Sequence, residues 1–328
     1  MRRHLGTLLK VILSLGLIVF VLAEVHLPTL MARLTAAHLG LVALAMLVFW
    51  LAMTINALKW YTLLRSQQLN VPFVALLDYT FVGFFFNNVL PANIGGDLMR
   101  GYGLTRYTER IAPAAASVIL DRIIGLAAYM STAAVAALVV VYVTGRQELR
   151  VLAWAAVAAV AVLAVLVGIL LSRRLRRLID RLLANTFLHP LARMWSALSL
   201  AFAAYRFQYR ALAQAFGIGL LGIASTTTVN FILAESLGGG IPLLHVLLFT
   251  PLIALVLIVP ISVGGLGLNQ VAYPFFYGLV GVPYEHAVGL SLFIQAVQIL
   301  CSLPGGVLWL RWRRRRSVSP LPTAPRHV

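Results

Sequence analysis

Two stretches of this chain place ionisable side chains inside otherwise apolar surroundings. The first reads Asn87-Asn88-Val89-Leu90-Pro91-Ala92-Asn93-Ile94-Gly95-Gly96-Asp97-Leu98-Met99-Arg100. Pro91 removes a backbone donor and breaks a helix. Gly95-Gly96 lets the chain turn with positive φ and lets a ligand come close to the backbone. At membrane depth such irregular backbone survives only where protein or a wet cavity satisfies its polar groups. Asn87, Asn88 and Asn93 supply donors and acceptors for that purpose. A helix restarting after Gly96 would aim its unpaired N–H groups at an anion such as a lipid phosphate. Asp97 and Arg100, three residues apart, share one face of that helix as an ion pair. The pair either lines a binding site or merely caps the restarted helix.

The second stretch is Ser117-Val118-Ile119-Leu120-Asp121-Arg122-Ile123-Ile124-Gly125-Leu126. A charge at the centre of a spanning helix costs about 2.5–3.5 kcal/mol on insertion scales, so such residues face a cavity or a partner. Neighbours in sequence sit about 100° apart on a helix. Asp97, Arg100 and Arg106 are therefore better partners for Asp121 and Arg122 than these two are for each other. The plainer alternative is that both snorkel at an interface. A third stretch, Pro260-Ile261-Ser262-Val263-Gly264-Gly265-Leu266-Gly267 with Asn269 and Gln270 beyond it, carries hydrogen-bonding capacity without charge. Its small residues would serve helix packing as readily as substrate contact. Lys59-Trp60-Tyr61 followed by Arg65 is expected to be an interfacial anchor, the alternative being headgroup contact, since Lys59 sits inward of the aromatic belt. No catalytic constellation, metal site or cofactor motif emerges: Cys301 stands alone, the histidines are scattered, and neither H-E-x-x-H nor a Walker loop occurs.

The elements that hold these residues follow from composition. Hydrophobic residues make up 61% of the chain and charged ones 11%, with a mean hydropathy of +0.94. A soluble domain carries roughly a quarter charged residues, and a run of about 20 apolar residues spans the roughly 30 Å hydrocarbon core. The fold class is an all-α polytopic membrane protein. The formal charge of +17 sits at the ends of apolar segments, where arginines set topology and meet anionic headgroups. Nucleic acid is excluded as a partner, because no soluble basic face remains to bind it.

Apolar runs occupy roughly 8–24, 39–64, 73–90, 112–143, 150–171, 210–236, 243–259, 266–282 and 286–310. The N-terminal run resembles a signal peptide that could be cut after Val21-Leu22-Ala23, but the topology needs it as an uncleaved first helix. Eight arginines fall in 172–210 and five in 311–316, and the positive-inside rule puts both regions in the cytoplasm. Parity then works only if 73–110 enters from the cytoplasm and returns to it. By the same reasoning 243–282 starts and ends outside, as a hairpin or as two crossings. Pro91 to Gly96 and Pro260 to Gly265 share the pattern P-x-x-[I/V]-G-G. Each half, 1–145 and 146–316, then reads helix, helix, hairpin, helix in opposite orientation. That is an inverted repeat, whose Gly/Pro-interrupted segments mark a binding site near the midplane in many transporters. About eight membrane segments are expected, including two re-entrant hairpins, in one domain over 1–316 with both termini cytoplasmic. The tail at 317–328 is expected to be disordered.

The run Gly83-Phe84-Phe85-Phe86-Asn87-Asn88-Val89-Leu90-Pro91 to Gly95-Gly96-Asp97-Leu98-Met99-Arg100, then Asp121-Arg122, then Pro260 to Gly267, resembles the lysylphosphatidylglycerol synthase transmembrane-region family. The resemblance covers nearly the whole chain. It implies a flippase-like fold of about eight helices in the cell membrane that moves a phospholipid or polyprenyl-linked lipid. No soluble aminoacyl-transferase domain follows the membrane part, so lipid aminoacylation is not expected. Where relatives often carry Arg-Glu after the second glycine motif, this sequence has Asn269-Gln270, so no charge is available there. The expected function is lipid translocation, with Asn87, Asn88, Asn93, Gly95, Gly96, Asp97, Arg100, Asp121, Arg122, Ser262, Gly264, Gly265 and Asn269 meeting a substrate whose headgroup is anionic. The rival is a membrane enzyme, or an enzyme's membrane subunit, acting on an isoprenoid or glycolipid. A third reading makes the chain a scaffold for a separate lipid-modifying synthase.

Overall fold

The computed structural model describes residues 28, 31–32, 35–89, 95–105, 107–108, 111–145, 150–172, 174, 195–196, 199, 203, 205–258, 262 and 264–318. The first apolar run, most of the arginine-rich stretch, the segments Leu90–Ile94 and Val259–Ile261, Arg106 and residues 319–328 lie outside these. Every regular element among the described residues is a helix. They are α1 (Leu39–Ser66), α2 (Phe73–Val89), α3 (Gly95–Leu104), α4 (Ile111–Thr144), α5 (Arg150–Leu171), α6 (Tyr209–Ser236), α7 (Leu243–Ile258), α8 (Leu268–Gly278) and α9 (Tyr284–Val318).

Helix boundaries follow local chemistry. Pro72, Pro242 and Pro283 stand just before α2, α7 and α9, and their carbonyls accept the first-turn N–H groups of Ala75, His245 and His286; proline suits this place because its missing N–H would have no helical partner. The α6–α7 turn runs through Gly238, Gly239 and Gly240, all at positive φ (101°, 68° and 88°). The apolar run 266–282 is shorter as a helix than as a sequence, because Gly264, Gly265 and Gly267 hold φ of 57°, 80° and 81°. No helix tolerates such values, so α8 starts only at Leu268. In the other direction α9 continues through Arg311–Arg316, arginine being a good helix former, and takes in Ser317-Val318 of the expected tail.

Four helical stretches among the described residues are long and apolar enough to cross a membrane: Leu39–Ser66, Pro113–Tyr142, Tyr209–Ser236 and Tyr284–Arg313. Their outward faces carry large apolar side chains, among them Leu47, Leu51, Val135, Leu221, Leu303 and Val307, each at least 49% exposed. A water-soluble surface rarely gathers so much apolar area, and a lipid-facing one requires it. The largest buried cluster joins α1, α4, α6, α7, α8 and α9 around Phe49, Leu233, Phe249, Phe276 and Leu290. Two smaller ones gather around Trp60, Leu76, Tyr79 and Leu104 and around Leu63, Leu120 and Tyr205.

The fold brings α2 against α3 and α7 against α8. In the first pair the backbones nearly touch, since a Cβ on Gly96 would lie 2.3 Å from the Gly83 carbonyl oxygen. Helix α9 crosses α2 just as closely: a Cβ on Gly305 would lie 2.1 Å from the Phe81 carbonyl oxygen.

Candidate functional site

The charged residues of the two stretches converge. Arg100 on α3 donates from Nη2 to Asp121 Oδ2 on α4 at 2.9 Å, and its Nη1 lies 3.7 Å from Asp97 Oδ1. Arg122 on α4 donates from Nε to Asp97 Oδ2. The pairing is thus crossed between the two helices, as the 100° separation of Asp121 and Arg122 demands. Arg106, the other partner considered from sequence, lies outside the described residues.

A fifth charge completes the network. Lys59 Nζ on α1 stands 3.3 Å from Asp121 Oδ1, with both side chains at least 93% buried. This corrects the expectation of an interfacial anchor. Lys59 sits about 10 Å in from the Ser66 end of α1 at 1.5 Å per residue. Its stem runs between two glycines: a Cβ on Gly125 of α4 would lie 3.3 Å from Nζ, and one on Gly219 of α6 would lie 3.8 Å from Cδ. The glycines leave room for the stem, and Asp121 supplies the opposite charge that makes burial tolerable. The anchoring role at this end passes to Arg65, which is exposed, donates to the Tyr61 hydroxyl and Asn70 at 2.8 Å each, and lies over the Tyr61 ring.

Arg100 is fixed from three sides. Its guanidinium carbon lies 4.1 Å from the centroid of the Trp60 ring, a stacking contact of about 2 kcal/mol or more when desolvated. The Trp60 indole N–H is held by Ser117 Oγ at 3.1 Å. The arginine stem passes Gly83, where a Cβ would lie 3.1 Å from Cγ. Its Nε is buried with no hydrogen-bond partner. Three cations, Lys59, Arg100 and Arg122, thus share two carboxylates, Asp97 and Asp121.

The polar residues of the first stretch adjoin this network in sequence. Gly96 N–H donates to Asn87 Oδ1 at 2.9 Å, which ties the end of α2 to the start of α3. Gly95 and Gly96 are buried, and Asn88 Nδ2 is buried without a partner. Asn93 lies outside the described residues. The glycine turn of the second stretch comes up against the first: a Cβ on Gly264 would lie 3.1 Å from the Asn88 carbonyl oxygen. Behind that contact Asn269 Nδ2 donates to Gln295 Oε1 at 2.5 Å and Gln295 Nε2 donates to Gly264 O at 3.1 Å. Gly267 N–H donates to Gln270 Oε1 at 2.7 Å. Ser262, Asn269 and Gln270 are all buried. Asn269 therefore braces the turn rather than facing an opening, while Gln270 keeps an unpartnered Nε2. Gln295 belongs to α9, and nothing near it in the sequence marks it out.

An open cleft of about 380 Å³ lies at the α4–α5 connection, lined by Leu138, Tyr142, Arg150 and Trp154 among others. It is about 30 Å along α4 from Arg122 and separate from the charges.

A bundle of long apolar helices with lipid-facing outer surfaces and ion pairs between the helices defines a multi-pass helical membrane protein. Residues 7–305 match the family described as the lysylphosphatidylglycerol synthase TM region, and the chain belongs to that family. It is similar to the UPF0104 membrane protein PH1989 of Pyrococcus horikoshii, at 25% identity over 93% of this chain and 97% of that protein.

Proposed function

We propose that the protein moves a phospholipid or polyprenyl-linked lipid across the cell membrane, with the ion network as its headgroup site. The single observation that carries this reading is the crossed set of ion pairs among Lys59, Arg100, Arg122, Asp97 and Asp121, gathered from three helices inside an otherwise apolar bundle. Ionisable residues inside apolar helices are costly and by default mark a substrate path. The buried Arg100 Nε, which has no hydrogen-bond partner, suits a site that receives an anion.

The architecture behind the proposal is an inverted repeat with two re-entrant hairpins, giving about eight membrane segments. Helices α1, α2, α3 and α4 have 28, 17, 10 and 34 residues, and α6, α7, α8 and α9 have 28, 16, 11 and 35. The neighbours correspond as well: α2 packs on α9 and α7 on α4, while α1 and α6 meet each other along the centre. A helix of 10 residues is about 15 Å long, half of the roughly 30 Å core. Helices α3 and α8 suit the returning arms of hairpins whose tips meet at Asn88 and Gly264. The arginine clusters set both termini in the cytoplasm, so Asp97, Arg100, Asp121 and Arg122 line the cytoplasmic mouth of a polar path between the tips, and the acyl chains stay in lipid. A separate synthase would supply or consume the lipid.

The test is reconstitution. Purified protein in liposomes should equilibrate a headgroup-labelled anionic lipid between leaflets, read by quenching from outside. Arg100→Ala and Asp121→Ala should abolish the exchange, and unchanged rates in both would sink the assignment. Chemical conversion of the lipid without movement would instead make the chain a membrane enzyme.

A further inference from the structure

Side-chain amides gather where the two glycine turns meet, and they are unequally engaged. Asn87 accepts from the Gly96 N–H, Asn269 donates to Gln295, and Gln295 donates to the Gly264 carbonyl. Two others keep an idle N–H: Asn88 Nδ2 near the end of α2 and Gln270 Nε2 in the first turn of α8 are both buried without a hydrogen-bond partner. We propose that Asn88 and Gln270 form a subsite for the ester carbonyls of a glycerolipid, and thereby select a diacyl lipid over a polyprenyl-linked one. This rests on reading Arg100 as part of the headgroup site, and it adds the part of the substrate that follows the phosphate.

Each amide is held by its surroundings. Gln270 Oε1 accepts from the Gly267 N–H at 2.7 Å, which leaves the Nε2 end of the same amide as the spare donor. Gln270 is 1% exposed, and a buried donor that lacks an acceptor is unfavourable. Gly264, at a φ of 57°, brings the second turn against the first: a Cβ there would lie 3.1 Å from the Asn88 carbonyl oxygen. Asn88 is partly exposed and Gln270 is not. A carbonyl therefore reaches Asn88 from the surface and Gln270 only as the two turns part.

The chemistry of the donors separates this subsite from the charged one. A phosphate forms its strongest hydrogen bonds with cations such as Arg100, whereas a neutral amide N–H suits a neutral acceptor such as a carbonyl oxygen. The spacing agrees. The Arg100 stem lies against Gly83, where a Cβ would be 3.1 Å from Cγ, and Asn88 stands about 7.5 Å further along α2. That is within the reach of one glycerol backbone from phosphate to ester carbonyl. With α2 entering from the cytoplasm, the order also matches a lipid of the inner leaflet, its phosphate at the mouth and its carbonyls deeper. A diacyl lipid carries two ester carbonyls there, one for each idle N–H. The chain of a polyprenyl phosphate is hydrocarbon from its first carbon onward and offers neither amide an acceptor.

The experiment is titration calorimetry on the full chain in detergent micelles with two probes, dioctanoyl phosphatidic acid and its dioctyl ether analogue. The two share the phosphate and the glycerol and differ only in the ester carbonyls. The ester should bind about tenfold tighter, the worth of one or two neutral hydrogen bonds. Asn88→Ala and Gln270→Leu should each cut that ratio to about threefold, and the double variant should bring it to about one. Gln270→Leu also strands the Gly267 N–H. Asn88→Ala guards against misfolding, since Asn88 makes none of the hydrogen bonds that brace the second turn, and it decides alone if Gln270→Leu binds neither lipid. Arg100→Ala should weaken both lipids alike and leave their ratio near tenfold. Equal binding of ester and ether by the unaltered protein, or a preference that survives Asn88→Ala or the double variant undiminished, would overturn the carbonyl subsite and spare the headgroup reading. An ester preference that follows Asn88 and Gln270 while Arg100→Ala changes nothing would sink the headgroup reading and keep the subsite. Binding of neither lipid by the unaltered protein would overturn both.

Discussion

An alanine at Gly96 tests the tightest contact of the α2–α3 pair. Its Cβ would stand 2.3 Å from the Gly83 carbonyl oxygen and 2.6 Å from Asn87 Oδ1. Carbon and oxygen normally keep well over 3 Å apart, so the helices must part by about 1 Å. Overpacking of this kind costs about 1–3 kcal/mol. The parting also stretches the Gly96 N–H bond to Asn87, which is worth about 1 kcal/mol. A loss of about 2–4 kcal/mol is expected for Gly96→Ala. Gly101 lies on the same short helix and a Cβ there meets nothing within 4 Å. Gly101→Ala should therefore gain up to about 1 kcal/mol from helix propensity alone. The two variants have identical chemistry and should differ by about 2–5 kcal/mol, roughly thirtyfold or more in the unfolding constant. Reversible unfolding in mixed micelles titrated with dodecyl sulfate, followed by circular dichroism, measures that difference. Stabilities within about 0.5 kcal/mol of each other, a gap ordinary surface substitutions produce, would refute the close approach and with it the placement of Arg100.

The same titration checks three further expectations. Asp121→Asn leaves two cations facing each other and should lose about 3–5 kcal/mol, whereas Lys59→Met leaves the Asp121–Arg100 pair intact and should lose distinctly less. Gln295→Leu strands Asn269 Nδ2 and the Gly264 carbonyl inside the second turn and should cost about 2–4 kcal/mol, with no change in the salt dependence of unfolding. Asp97→Arg combined with Arg122→Asp should recover the small loss that either single reversal produces. That loss should be about 1 kcal/mol or less, because the pair is partly exposed and screened, and it should shrink further in high salt.

The sequence spoke most clearly where physics acts locally. Long apolar runs bounded by arginine became α1, α4, α6 and α9 within a few residues, apart from the Arg311–Arg316 extension. Pro-Gly punctuation marked the places where α2 gives way to α3 and α7 to α8. The crossed pairing of Asp97, Arg100, Asp121 and Arg122 was legible because helix geometry forbids the adjacent pair. Lys59 was misjudged for a non-local reason. Its aromatic neighbours, Trp60 and Tyr61, read as an interfacial belt, but Trp60 faces inward to stack on Arg100, which is forty positions later. The groove for the lysine stem is made by Gly125 and Gly219 on two other helices. Neither glycine is unusual in a membrane helix, and only the packing reveals that they share a wall. Gln295 escaped notice in the same way, as one of two glutamines within α9, its partners Gly264 and Asn269 arriving from the preceding glycine turn and α8.

The burial of Lys59 also constrains how the molecule is made. Helix α1 leaves the ribosome before α2 and α3, and well before α4 brings Asp121. Until then the ammonium group has no counter-charge and must be held at the lipid headgroups by its long flexible stem. Helix α1 can settle to its final depth only after α4 has inserted and α6 has offered its glycine. One ion pair thereby imposes an order on membrane insertion, and a chain truncated before α4 would leave its first described span riding high.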